Sequence, residues 1–464
     1  MTIWKPDLSA YSGPRYQAIA SALADAISLG ELNPGTRLPT HRALAEQLGL
    51  TVGTITRAYA EAERRGLVEA RVGSGTYISS RTHLDPSSPF QIGSQPSHLT
   101  ELTLNLPVPN DRSPQLQQAL ADLQRKQLEL NPLLAYQPEQ GLLQHREIMA
   151  NWLRRLDWQP DPEQLFITNG GQHGLLLALL SCCEPGDTLA CEALTYPGLL
   201  GLAQQLHLRL QGLPLDQEGV TVESFAALCK ERPPKVLYLT PTLQNPTSRT
   251  LSLARRQALI QLCQRHGVWI IEDDVNGWLP VNRPQPLAAL APEQVLHIGS
   301  LSKSLAAGLR IGSLVVPPSL RDQARRAMRA SCWMASPLGA ALACEWLNSP
   351  IADELLTRQR QAMQERQALA QQLLGEWQLE GAPQALHAWL PLPEPWLSHS
   401  FVEAAAQQGV RVLGRDTFSC GRWPGMHGVR LALSQPPSSA QLEQALQRLR
   451  QLLLQGPEAP LPVL

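Results

Sequence analysis

The chain has 464 residues, is 43% hydrophobic and 17% charged, and carries a formal net charge of −1. That composition belongs to a globular protein of more than one domain with material for a large core. It excludes a global field that attracts nucleic acid, so any such contact must rest on a local motif. The longest apolar run, from Leu175 to Cys183, is far too short to span a bilayer.

The residues before Tyr16 lack the apolar stretch of a secretory signal. The eight cysteines show no C-x-x-C spacing and sit mostly in apolar surroundings. The expectation is a cytoplasmic protein with buried free thiols, no metal site and no membrane partner.

In chain order, Tyr16, Ile19, Ala20, Leu23 and Ile27 recur at helical spacing, with Gly30 as a stop and a turn at Asn33-Pro34-Gly35. Thr40 can cap a second helix that encloses Leu44 and Leu48 and stops at Gly49. Thr51 can cap a third, with Ile55, Ala58, Tyr59 and Ala62 inside and Gly66 as its stop. About one turn of chain separates these two helices, which is helix-turn-helix spacing. LVEARVGSGTYI then gives two short strands about Val72-Gly73-Ser74-Gly75, a wing. The third helix is expected to expose Val52, Gly53, Thr54, Thr56 and Arg57, short side chains with one Arg that suit a major groove. Arg37, Arg42 and Arg71 stand where phosphates would pass. Residues 1–80 hold eight Lys/Arg and seven Asp/Glu, so local charge does not separate DNA binding from a small helical cap.

Residues 81–100, rich in Pro, Ser, Gln and His, read as a linker. From 101 to 455 strands alternate with helices, which predicts an α/β fold with a mainly parallel sheet between helical layers. A strand at Gln164–Thr168 leads into Asn169-Gly170-Gly171-Gln172 and a helix from His173, whose free N–H groups suit a phosphate. Strands at Lys235–Thr240, Val268–Ile271 and Val295–Ile298 are followed by Asn245, by Asp273 and by Ser300-Leu301-Ser302-Lys303. Ligands of open α/β sheets bind at that edge. Arg310 and Arg430 complete the polar set. A Lys for a Schiff base, an Asp for a pyridinium nitrogen, and Gly amides, serines and an Arg for a phosphate together meet the needs of pyridoxal 5'-phosphate.

Two resemblances sharpen this. The run from Leu23 to Ile78 closely resembles the GntR-type winged helix, which favours DNA binding over a cap. Thr51-Val52 stands where that family often has Ser-Arg. SLSKSLAAGLRIG, Ser300 to Gly312, resembles the fold type I, class I aminotransferases. That resemblance implies Lys303 as the Schiff-base lysine, Ser300, Ser302 and Arg310 with the Gly171 and Gln172 amides around the phosphate, and Asp273 on the pyridine nitrogen. It further implies Asn245 on the phenolic oxygen, Tyr196 stacked on the ring, and Tyr136 lent by a neighbouring subunit. Arg430 is implied as the grip on a substrate or effector carboxylate. Asn276 replaces the tyrosine of the class I pattern (a shift by one would put Val275 there), which weighs against efficient transamination more than against cofactor binding.

The combination looks like the MocR family of regulators, GabR-like and PdxR-like proteins included. It implies a winged helix-turn-helix over 1–80, a linker over 81–100, and an aminotransferase-like domain over 101–464. Within that domain the large part is expected at about 130–320 and a smaller C-terminal α+β part at about 321–455. It also implies a homodimer that binds double-stranded operator DNA and responds to an amino acid, an amine or pyridoxal phosphate itself through an aldimine at Lys303. A working aminotransferase and a scaffold that binds no cofactor are the other readings.

Overall fold

The computed structural model describes residues 4, 6, 8, 14–28, 32, 35–64, 67–71, 75–78, 99–125, 130–421 and 427–456. Two compact units divide the chain, Met1–Ser88 and Pro89–Leu464. The expected linker falls outside the described residues as far as 98, as do Gly30, Asn33, Pro34, Gly66, Val72, Gly73 and Ser74.

In the first unit the helices are Arg15–Ser28, His41–Leu48 and Val52–Arg64, followed by strands Val68–Arg71 and Gly75–Ile78. The strands pair antiparallel, Val68 opposite Ile78. The second helix begins where its cap predicts: the Thr40 hydroxyl accepts from the Ala43 N–H at 3.3 Å, and Gly49 ends it at φ 63°. Thr51 caps the third helix through the Thr54 N–H at 3.2 Å. Ile19, Leu23, Leu44, Ile55, Ala58, Tyr59 and Ile78 seal one core. Truncating Leu44 or Ile55 to Ala there costs about 2–5 kcal/mol.

The second unit is built on a seven-stranded sheet. Its order is Leu165–Thr168, Gly312–Val315, Val295–Ser300, Trp269–Asp273, Val236–Leu239, Thr188–Glu192, Arg209–Leu213. Gly312–Val315 runs antiparallel to both neighbours, and the other pairings are parallel. Both faces are covered, which explains the uninterrupted apolar strands. Phe166, Tyr238, Ile271, Leu296 and Leu314 pack with Leu175 and Leu179 of the Gly171–Cys182 helix. Leu237, Leu239 and Ile270 pack with Phe225, Leu259 and Cys263 on the other side.

Strand ends differ from the sequence reading in one respect that matters. The strands predicted to stop at Ile271 and Ile298 continue to Asp273 and Ser300, because their backbones stay in the ladder after the side chains turn polar. Asp273 and Ser300 are therefore the last residues of strands and inherit their rigidity.

The C-terminal part joins the long helix Ile351–Leu374, a three-stranded antiparallel sheet of Ala388–Pro391, Gly428–Leu431 and Leu413–Gly414, and the helix Ser439–Gln455. Its core takes Leu102 and Val108 from the start of the unit. The helix Arg321–Ser331 instead packs Ala324, Ala327 and Met328 into the core of the large sheet. Among the described residues no helix is long and apolar enough to cross a membrane. Cys332 is exposed and Cys183 half-buried, while the other six cysteines are buried, and none of the eight is in a disulfide.

Candidate functional site

The strand ends enclose a cavity of about 310 Å³. Gly171, Gln172, Tyr196, Asn245, Asp273, Asn276, Ser300, Ser302, Lys303, Arg310 and Arg430 all line it. Tyr136 does not: it is 81% exposed, its ring against Trp333 at 5.8 Å.

One strand end, the connection between Val295–Ser300 and Gly312–Val315, and one strand of the C-terminal sheet deliver the charged groups. Asp273 closes its strand with Oδ2 accepting from the Tyr238 hydroxyl at 2.7 Å. Burial raises its pKa to about 6. Lys303 donates from Nζ to the Asn105 carbonyl. Burial, with Arg430 and Arg310 nearby, lowers its pKa to about 8, against the pull of Asp273. Arg430 is 1% exposed. Its Nη1 donates to Asn245 Oδ1 at 2.8 Å, its Nη2 to the Thr103 carbonyl, and its guanidinium lies 4.9 Å over the Phe418 ring. Burial lowers its pKa to about 9. A cation and an anion share this low-dielectric space, so each favours the other's charged form while burial opposes both.

The anion end is built from backbone. Gly170, at φ 83°, opens the Gly171–Cys182 helix with no side-chain cap, leaving that end to a ligand. A Cβ on Gly170 would lie 2.7 Å from Arg310 Nη2, so only glycine lets the guanidinium close over the turn. Arg310 itself donates to the Asn169 carbonyl at 3.1 Å. Ser300 Oγ accepts from the Ser302 N–H at 3.1 Å. Ser302 Oγ, Gln172 Oε1, Thr240 Oγ1 and Arg430 Nε are buried and have no partner among the described residues. Buried polar atoms left open around one cavity are what a polar, phosphate-bearing ligand would satisfy.

Asn276, which replaces the class I tyrosine, lines the cavity and is held in place by its Nδ2, which donates to the Leu243 carbonyl at 2.9 Å. Val275 lines the cavity beside it. Residues that the sequence reading missed are Asn105, Thr240 and Tyr238. Tyr238, wholly buried in an apolar strand, carried one signal, since a buried phenol needs a partner for its hydroxyl. Asn105 carried none: it reaches the cavity because Thr100–Glu101 pairs with Val410–Arg411, far along the chain.

In the winged helix Arg42, Val52, Gly53, Thr56 and Arg57 are exposed. Thr51 is exposed and Thr54 half-buried, and their hydroxyls lie 2.9 Å apart at the start of the helix. Thr56 Oγ1 donates to the Val52 carbonyl at 3.0 Å and lies 3.4 Å from His41 Nδ1. Arg37 stands by the wing, bridged to Tyr77, and a Cβ on Gly75 would lie 3.0 Å from its Nε. The Arg71 side chain and Gly73 lie outside the described residues.

Comparison with known proteins agrees with both units. Residues 15–78 match the family of bacterial regulatory proteins of the gntR type, and residues 98–449 match aminotransferase class I and II. An uncharacterized HTH-type transcriptional regulator of Bacillus subtilis, YdeF, is 31% identical over 97% of this chain and 96% of its own. The HTH-type pyridoxine biosynthesis transcriptional regulator PdxR of Corynebacterium glutamicum is 29% identical over 83% of this chain and 84% of its own. Among solved structures, the kynurenine aminotransferase of Pyrococcus horikoshii superposes with a TM-score of 0.72 at 22% identity, covering 79% of this chain and 96% of that one. At that identity the likeness speaks for the fold alone. The chain belongs to the MocR-type family of helix-turn-helix transcriptional regulators, in which a gntR-type domain is fused to an aminotransferase class I and II domain.

Proposed function

We propose that this regulator binds pyridoxal 5'-phosphate in the cavity at the strand ends and uses it to sense an amino acid or amine. One observation carries the reading: Lys303, Asp273, Arg310 and Arg430, scattered along the sequence, converge on a single cavity with unpartnered polar atoms. Lys303 Nζ would hold the aldehyde carbon. Asp273 would face the ring nitrogen, with Tyr238 fixing its orientation. Arg310, Ser300, Ser302 and the Gly171 and Gln172 amides would hold the phosphate, and Tyr196 and Asn245 would flank the ring. When bound, the cofactor supplies an aldehyde that condenses reversibly with amines and a ring that stores electrons.

The chain's own contribution is electrostatic. With a pKa near 8, Lys303 keeps a useful fraction of neutral amine at physiological pH, the form that attacks a carbonyl. Asp273, pushed up to about 6 by burial, would be held ionised by a protonated ring nitrogen facing it. Arg430 offers a buried fork to an α-carboxylate. The experiment is the visible spectrum of the purified protein beside Lys303→Ala, with and without single amino acids. A yellow band present in wild type, absent in Lys303→Ala and shifted by one amino acid supports the reading. A protein that stays colourless after reconstitution overturns it.

The exposed face of the Val52–Arg64 helix, with Arg42 and Arg37 beside it, supports binding of double-stranded operator DNA through a major groove. Exposed Leu134, Tyr136 and Trp333 support a homodimer in which Tyr136 serves the partner's cavity, because monomers seldom leave such apolar surface uncovered. Sedimentation of wild type beside Tyr136→Ala and Leu134→Ser checks it. Turnover as an aminotransferase is the second reading, favoured by Lys303 as a proton carrier at Nζ. Repeated cycles with an amino acid and a keto acid would establish it.

A further inference from the structure

Both functional cations are tied to one short segment. Arg430 Nη2 donates to the Thr103 carbonyl and Lys303 Nζ to the Asn105 carbonyl. Leu104 and Leu106 line the same cavity. This segment begins at Leu99, ten residues after the second unit starts at Pro89. It is fastened to the C-terminal part, not to the large sheet. Thr100–Glu101 pairs in parallel with Val410–Arg411. The Leu102 N–H donates to the Arg411 carbonyl and the Ala432 N–H to the Leu102 carbonyl, both at 2.9 Å. Gln435 Oε1 accepts from the Thr103 and Leu104 N–H groups at 2.8 and 2.7 Å. At its inner end Asn105 Nδ2 lies 2.8 Å from His387 Nδ1.

A carbonyl offers Arg430 one neutral acceptor. A carboxylate offers two charged ones, matched to the guanidinium fork. We propose that residues 99–106 form a strap that reports engagement of Arg430 to the linker. A carboxylate seated on Arg430 Nε and Nη2 draws charge and geometry away from the Thr103 carbonyl, weakens that bond and loosens the strap's inner end. The change then passes along the covalent chain towards residue 98. Two states of one segment, biased by the ligand, are what coupling between distant sites requires. Gln435 is the positioning residue: it sets how readily the strap lets go. The inference rests on the reading of Arg430 as the carboxylate anchor.

Hydrogen exchange on the full chain, loaded with pyridoxal phosphate, tests it with each of the twenty L-amino acids in turn. The amino acid that shifts the visible band should speed exchange across residues 99–106 by about tenfold and leave the Val236–Leu239 strand unchanged. A shifted band with unchanged exchange over 99–106 overturns the strap and leaves the cofactor reading standing. No band shift with any amino acid removes the reading of Arg430 as the carboxylate anchor and the strap with it. Gln435→Met should speed exchange at the same residues without any amino acid, the band intact. Equal acceleration in the Ser439–Gln455 helix would show a merely structural role and overturn the assignment of Gln435.

Discussion

In the winged helix Arg42, Val52, Thr56 and Arg57 stand exposed on the outside of a sealed apolar core, and Val52 shows 45% of its surface. In the C-terminal unit Asp273 and Arg430 lie inside, with Lys303 between them, and burial shifts the pKa of all three. The first arrangement suits a polyanion, whose phosphates are met in water at high dielectric and lose affinity with salt. The second suits a small molecule held in low dielectric, where one charge decides binding. A regulator needs both, and this chain keeps their physics apart.

The predictions press on that contrast. Arg430→Ala leaves Asn245 Oδ1 and the Thr103 carbonyl without their donor, and should weaken the amino acid that shifts the visible band by about a hundredfold while the band itself persists. Titration of the band in both proteins measures this, and an unchanged midpoint would end the role given to Arg430.

A smaller effect should appear in the cofactor-free protein. Lys303 is depressed to about 8 in the fold, so from about 8 up to the ordinary lysine value of 10.5 the unfolded chain binds the proton and the folded one does not. Stability therefore rises with pH across that window. Arg430, depressed to about 9, adds to the same slope. Lys303→Met should flatten the slope, measured as the denaturant midpoint at pH 8 and pH 10.

On the exposed side effects should be graded. Arg42→Ala and Arg57→Ala are each expected to lower the salt dependence of operator binding by about one unit of slope, uniformly across sequences. A change confined to one base pair would move that Arg from phosphate to base contact. Smallest is Thr40→Ala, which removes the acceptor for the Ala43 N–H and should cost the winged helix about 1 kcal/mol. Its melting should shift while the visible spectrum does not.

Much of both units could be read from residues in order. Thr40, Gly49 and Thr51 punctuate the helices by capping chemistry that acts over three or four residues, so local sequence carries it. Lys303 and Asp273 followed from polar residues after apolar strands, Arg310 and Arg430 from the resemblance to the aminotransferases, and all four line the cavity. What escaped depended on partners far along the chain. That the Leu243 carbonyl would hold Asn276 Nδ2 at 2.9 Å was not legible in the order of residues.

By itself the sequence determined which elements form, where the capped helices begin, and which residue types stand near the strand ends, since periodicity, capping and glycine geometry are local. Tertiary structure alone decided that Tyr238 steadies Asp273, that Thr103 and Asn105 face Arg430 and Lys303, and how far burial moves each charge. Those outcomes hang on pairings such as Thr100 with Val410 and on the dielectric of an assembled interior, which a linear order of residues does not contain.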